Sequence, residues 1–150
     1  MGRIKDRKDC IFSIYDRFIS LGLTCDFNLL DVPTNQRKDN GIHYLNNKME
    51  YKENIKHIMK TKCIIDIIQS GTTGFTYRLW EAIAYDKHIL SNNFEIKNSK
   101  FYDVDAMHFF NKDTDISDSF IKSIRKHVIS KTKELINPYN FIMFIDDRLK

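Results

Sequence analysis

Proline occurs only twice and glycine five times in the 150 residues, which excludes collagen-like, Pro-rich and Gly-rich low-complexity chains. Cysteine is equally scarce. Cys10, Cys25 and Cys63 are an odd number with no CxxC pair, so neither a disulfide framework nor a Cys-based zinc site is expected, and reduced thiols packed into the interior are. No apolar run reaches the roughly 18 to 20 residues of a membrane span, because Lys, Asp or Asn breaks every Ile-rich stretch. The first nine residues, rich in Arg, Lys and Asp, lack the apolar core of a signal peptide and the Ser or Thr of a myristoylation signal, so a cytoplasmic location is expected.

Net charge is low as well. Twenty-four basic against 20 acidic residues leave +4, less than a nucleic-acid binder normally carries, and no nucleic-acid partner is expected. The excess is uneven: residues 1–62 carry +4, residues 63–115 carry −3 and residues 116–150 carry +3. The basic flanks leave open a peripheral contact with the anionic inner face of a membrane, while a solvated surface explains them equally well.

What is present is a 42% hydrophobic, 13% aromatic chain of ordinary single-domain size, taken as one domain over residues 1–150. Ile11, Ile14, Tyr15, Phe18 and Ile19 recur at helical spacing and Gly22 follows as a C-cap would. Residues 25–30 and 42–45 read as strands, and Tyr51, Ile55, Ile58 and Met59 as an amphipathic helix. Residues 63–68 form a nearly continuous apolar run, the pattern of a doubly covered parallel strand, and are expected at the centre of the sheet. A helix over about 74–84, strands over 88–91 and 107–110, and a helix marked by Ile116, Phe120, Ile121, Ile124 and Val128, capped by Asp115 or Ser117, complete an alternating order. Residues 139–145 give a last apolar segment, read as helical. Alternation of this kind predicts an α/β fold with a Rossmann-like open parallel sheet and helices on both faces.

The chemistry concentrates where the 63–68 strand meets the next helix. A Gly71-Thr72-Thr73-Gly74 loop there offers backbone N–H groups and the positive end of a helix to a phosphate. Its spacing is neither Walker A nor GxGxxG. With the helix starting at Gly74, Gly74, Arg78 and Glu81 share one face, so Arg78 could neutralise a diphosphate and Glu81 could accept from ribose hydroxyls. The alternatives are a plain turn, and an exposed Arg78–Glu81 ion pair of a few tenths of a kcal/mol.

The run from Cys63 to Ala84, with Gly71, Thr73, Gly74, Thr76, Arg78, Glu81 and Ala82 in place, resembles the nucleotide-sugar half of GT-B-fold glycosyltransferases. The likeness is greatest to bacterial surface-polysaccharide (lipopolysaccharide or capsule) biosynthesis proteins with a G-x-T/S-G-x-T-x-R-x-x-E-A signature. Tyr51-Lys52-Glu53-Asn54, Asn92-Asn93 and Phe101-Tyr102 match flanking features of that group, and the resemblance spans roughly residues 2–110. It implies half of a GT-B fold that binds a nucleotide-diphosphate sugar for glycosyl transfer. Gly71, Thr72, Thr73, Gly74 and Arg78 would face the phosphates, Glu81 the ribose, and Asn92 and Asn93 the sugar. No cofactor or metal is implied, since a helix terminus and an arginine would stabilise the leaving diphosphate; the five histidines do not fall at metal-ligand spacings either.

Three positions depart from the family pattern. Thr73 stands at a usual Glu, Asp86 at a usual Gly and His88 at a usual Pro. The family's opening strand and its acceptor-binding half have no counterpart ahead of Gly2-Arg3. The resemblance therefore implies a chain incomplete as an enzyme alone, with catalytic residues unassigned, and completed by an N-terminal-half partner chain or a second copy. A non-catalytic Rossmann-like interaction or regulatory module is the other reading.

Overall fold

The computed structural model describes residues 2–3, 5–38 and 41–136; the 139–145 segment lies outside them. Strand β1 is the short Gly2–Arg3, followed through a 3-10 turn by helix α1 at Lys8–Ser20. Strands β2 and β3 are Asn28–Leu30 and His43–Leu45, and helix α2 is Tyr51–Lys60. Strand β4 at Cys63–Asp66, helix α3 at Tyr77–Ala84, β5 at His88–Ser91, β6 at Met107–Phe109 and helix α4 at Asp118–Ser123 follow. The fold is α/β, and every strand pair is parallel.

The strands form two three-stranded sheets, ordered β1-β2-β3 and β4-β5-β6, where the sequence predicted one. The expected central strand is an edge: among the described residues β4 pairs only β5, with Cys63 opposite His88 and Asp66 opposite Ser91. On the other side β1 is too short to bridge, because only Gly2 and Arg3 pair, with Leu29 and Leu30.

Two apolar cores lie on opposite faces of the β4-β5-β6 sheet, as the alternation of strand side chains requires. Cys63, Ile65 and Leu90 join α1 and α4 through Ile14, Phe18, Phe120 and Ile121. Ile64 and Ile89 join α2 and α3 through Ile58, Leu79, Ala82 and Ile83. Helices therefore cover both faces. No helix among the described residues is long and apolar enough to cross a membrane.

Local chemistry explains where the helices end. At the close of α1, Gly22 takes φ +71, its N–H bonds Ile19 O at 2.9 Å and Leu23 N–H bonds Phe18 O at 3.0 Å, a Schellman closure that only a left-handed residue permits. Asp86 does the same for α3 at φ +53, with Lys87 N–H on Ala82 O at 2.9 Å. Its carboxylate offsets the backbone strain by accepting from Ser130 N at 3.1 Å and Lys133 Nζ at 2.5 Å, so an aspartate stands where glycine is usual. His88 N–H donates to Lys62 O at 3.0 Å, a bond that a proline could not make. Ser117 caps α4 through Phe120 N–H at 3.2 Å, but the helix stops at Ser123, leaving Val128 to reach its core from the following loop.

Burial makes the fold pH-sensitive. The His108 imidazole packs at a tilt against Phe120 with ring centroids 4.6 Å apart, beside His88 at 5.8 Å and Ser123 Oγ at 3.3 Å. Burial, aided by the neighbouring His88, pushes it down to about 4, and burial lowers His88 too. Both groups bind protons more readily in the unfolded chain, so stability should fall as pH drops from about 6.5 toward 4. Asp66, held up by burial, opposes the trend, and the carboxylates lowered by hydrogen bonds act only below their ordinary range. Thermal melts from pH 7.5 to 4.5 should show a declining Tm, with the slope reduced in His108→Gln; an equal slope in the variant would exclude His108 as its source.

Candidate functional site

The carboxyl end of β4 opens on a cavity of about 510 Å³ lined by Arg7, Tyr51, Thr72, Thr76, Tyr77, Arg78, Glu81 and residues 66–69. Each element brings one part of it. Residues 5–7 carry Arg7 to the strand end, where its Nη1 donates to Ile67 O. Tyr51 opens α2 and is 66% exposed, Tyr77 opens α3 and is 86% exposed, so two phenol rings stand at the mouth.

Arg78 and Glu81 meet as the sequence predicts, yet their pair is not an exposed one. Arg78 Nη1 lies 2.6 Å from Glu81 Oε2, with only 22% and 8% of the two side chains exposed. Asn54 Nδ2 donates to the other Glu81 oxygen at 3.1 Å, and both Arg78 terminal nitrogens lie 3.5 Å from Asn54 Oδ1. Glu81 thus spends each oxygen within the protein. Asp66, 4% exposed, accepts from Ser91 Oγ at 3.2 Å. Burial raises its carboxyl, opposed by the neighbouring Thr76 and Ser91 hydroxyls and by the charges of Arg78 and Arg7. Two guanidinium groups therefore influence one reluctant acid at the strand end, an arrangement suited to an anion.

The loop itself is built differently from the expectation. Helix α3 begins at Tyr77, with Thr76 as its extended N-cap, so Gly74 precedes the helix and shares no helical face with Arg78 and Glu81. Gly74 takes φ +81, and its N–H donates to Glu95 Oε2 at 2.9 Å. Thr72 N–H bonds Gln69 O at 3.1 Å, and Ser70 N–H bonds Asp6 Oδ2 at 3.1 Å. Carboxylates of the protein's own thus hold two of the loop amides. The edge-to-face cluster of Phe75, Trp80 and Phe101, with centroids 4.8 to 6.0 Å apart, pins the loop from the other side. Of the residues read as phosphate-facing, Thr72 and Arg78 line the cavity, as Glu81 does; Gly71, Thr73 and Gly74 are not among its lining.

Asn92 and Asn93 act as clasps. Asn92 Oδ1 accepts from Ile68 N at 2.7 Å and its Nδ2 donates to Ile68 O at 3.3 Å. Asn93, 1% exposed, donates to Gly74 O at 2.8 Å and accepts from Glu95 N at 3.2 Å. Together they tie β5 to the loop after β4, and neither lines the cavity. The role of Asn93 follows from its place at a helix N-cap, where Asn is a preferred acceptor.

Sequence reading assigned no role to Arg7, Tyr51, Asn54, Asp66 or Tyr77. Asp66 carried a signal as the one charged residue inside an apolar strand, and Tyr51 and Asn54 only as flanking matches of the resemblance; Arg7, 59 positions from Asp66, carried none. The sequence reading found no Asp-x-Asp motif, but the chain has two such spacings, Asp103-Val104-Asp105 and Asp113-Thr114-Asp115. Asp103 accepts from the N–H groups of Asp105 and Lys131 at 3.1 and 3.0 Å, and Asp115 from those of Asn111 and Lys112 at 2.9 and 3.0 Å, so both shape turns. Compared with known proteins, the chain matches no family model, no curated protein and no solved structure.

Proposed function

We propose that the chain binds the diphosphate of a nucleotide sugar at the carboxyl end of β4, as a glycosyltransferase-like protein of surface polysaccharide biosynthesis that is incomplete as an enzyme on its own. The observation that carries this reading is the convergence of Arg7, Arg78 and the start of α3 on one 510 Å³ cavity. Two planar guanidinium donors and a helix start suit a diphosphate. Open α/β sheets take ligands at this edge, and with β1 beside β4 the strand order would be the Rossmann-like β3-β2-β1-β4-β5-β6. The phosphates would lie against residues 76–78 and Arg7. Tyr51 and Tyr77 are placed to flank the nucleoside, and Glu81 would reach a ribose only by loosening its bond to Asn54.

That last requirement favours a second reading, a non-catalytic interaction module. Glu81 is fully engaged, and Glu95 already holds the Gly74 amide. Calorimetry of the chain with UDP, GDP, CMP and their sugar conjugates separates the two. The first reading expects saturable binding of at least one nucleoside diphosphate, about tenfold tighter than its monophosphate, from the charge-assisted bonds of the second phosphate. Absence of binding across the panel would leave the module.

A further inference from the structure

A second cavity, of about 700 Å³, lies between β2 and β4. Arg7, Asp66, Ile67 and Arg78 line both it and the 510 Å³ cavity, so the two meet at those guanidinium groups. Its walls are mixed. Ile11, Phe18 and Ile124 bring apolar surface, while Asn28 and Asn54, each 8% exposed, and the pair Asp26 and His57 bring polar groups. That pair is built to take up a proton. His57 Nδ1 lies 2.5 Å from Asp26 Oδ2, and Asn28 Nδ2 donates to Asp26 Oδ1 at 2.6 Å. Burial acts to raise the Asp26 carboxyl, but the hydrogen bonds from His57 and Asn28 outweigh it and hold the group below the usual carboxylate range. An ionised Asp26 can only accept, so Nδ1 of His57 carries the hydrogen and Nε2 of the neutral ring keeps its lone pair. Nε2 lies 3.8 Å from Glu53 Oε1, beyond hydrogen-bond reach. His57 stands one turn along α2 from Asn54, about 5 to 6 Å between the two, and Asn54 Oδ1 is 3.5 Å from Arg78.

We propose that this cavity admits a hydroxyl-bearing second substrate, and that His57, oriented by Asp26, is the general base that deprotonates it. The proposal rests on the nucleotide-sugar reading above and adds to it a base from this chain. The hydroxyl oxygen forms a bond to the anomeric carbon of the bound sugar as the bond from that carbon to the diphosphate oxygen breaks. The hydroxyl proton passes to His57 Nε2, and the electron pair of the broken bond stays on the diphosphate beside Arg7 and Arg78. Each of these groups lines the one cavity, and the orienting contact from carboxylate to imidazole is the arrangement that holds a histidine base in its working tautomer. Asp26 is a positioning residue, since it acts only through His57.

Water serves as the hydroxyl substrate in the experiment. The full chain is incubated with each nucleotide sugar that calorimetry shows to bind, and release of free sugar and nucleoside diphosphate is followed. Slow hydrolysis is expected. His57→Ala should lower its rate at least about 100-fold, the usual worth of a general base, while donor affinity stays within about twofold of the parent chain. Added imidazole should raise the rate of that variant at least about tenfold, because a free base can enter the space left by the ring; a histidine that only fastens α2 to residue 26 would show no such rescue. Asp26→Asn should lower kcat and leave KM unchanged. A chain that binds donor without hydrolysing it, a rate unchanged in His57→Ala, or a loss that imidazole does not restore overturns the base and leaves the diphosphate site standing. Absence of binding across the panel is the separate failure of the nucleotide-sugar reading, and the base falls with it.

Discussion

Arg78→Ala should lose nucleoside-diphosphate binding by roughly 10- to 100-fold, the worth of one or two charge-assisted hydrogen bonds. It should also destabilise the protein by about 2 to 3 kcal/mol. Truncation leaves Glu81, 7% exposed, with Asn54 but without its counter-ion, and breaking a fully buried pair costs about 3 to 5 kcal/mol. The lower figure follows from the 22% exposure that the Arg78 side chain keeps, which lets water screen the pair. Pairing Arg78→Met with Glu81→Gln separates the two effects. The neutral pair removes the orphaned charge and should recover most of the melting temperature, while diphosphate affinity stays lost. Recovery of both would make the arginine a structural residue and refute its place in the binding site.

Leu79→Ala should cost about 2 to 5 kcal/mol, the range for truncating a fully buried leucine that leaves a cavity behind. Leu79 is 0% exposed and lies in α3 between Arg78 and Trp80, facing Ile83, Ile89 and Ile96 within one core. Denaturant melts check the size of the loss, and an unchanged denaturant slope would show that the unfolding transition stays cooperative. The same helix carries Arg78 and Glu81, so diphosphate affinity should fall even where the folded fraction is corrected for. Leu79→Met, which nearly conserves volume, should cost under about 1.5 kcal/mol and leave the affinity close to that of the parent chain.

These two expectations differ in how far they could be read without the fold. The burial of Leu79 follows from helical spacing with Ile83 and from an apolar stripe that any packed helix must hide. The burial of Arg78 does not. Helix periodicity places Arg78 and Glu81 one turn apart and polar, which reads as a solvated ion pair. Asn54, from a different helix, closes over that pair and turns it into an internal network, and no local pattern connects residues 27 positions apart.

The loop after β4 shows the same division. Gly71 and Gly74 mark it as a turn, and both do take positive φ. Asp6 and Glu95, 64 and 21 positions away, hold the amides of Ser70 and Gly74, so a donor set that reads as free for phosphate is partly occupied. The start of α3 moved for a related reason. Gly74 accepts a bond from Asn93 and donates one to Glu95, which holds it at φ +81 ahead of the helix, and the helix begins only after the extended Thr76.

By itself the sequence determined the element order, the parallel α/β character and most buried faces, because apolar spacing of 2 and 3.6 residues is a local property set by backbone geometry. Only the tertiary structure decided the strand order, placing β4 at an edge among the described residues and leaving a slot between β2 and β4, since strand order arises from contacts between segments dozens of residues apart. The tertiary structure likewise decided which charges meet at the β4 end, bringing Arg7, Asp66, Arg78, Glu81 and Asn54 within reach of one another from four separate segments.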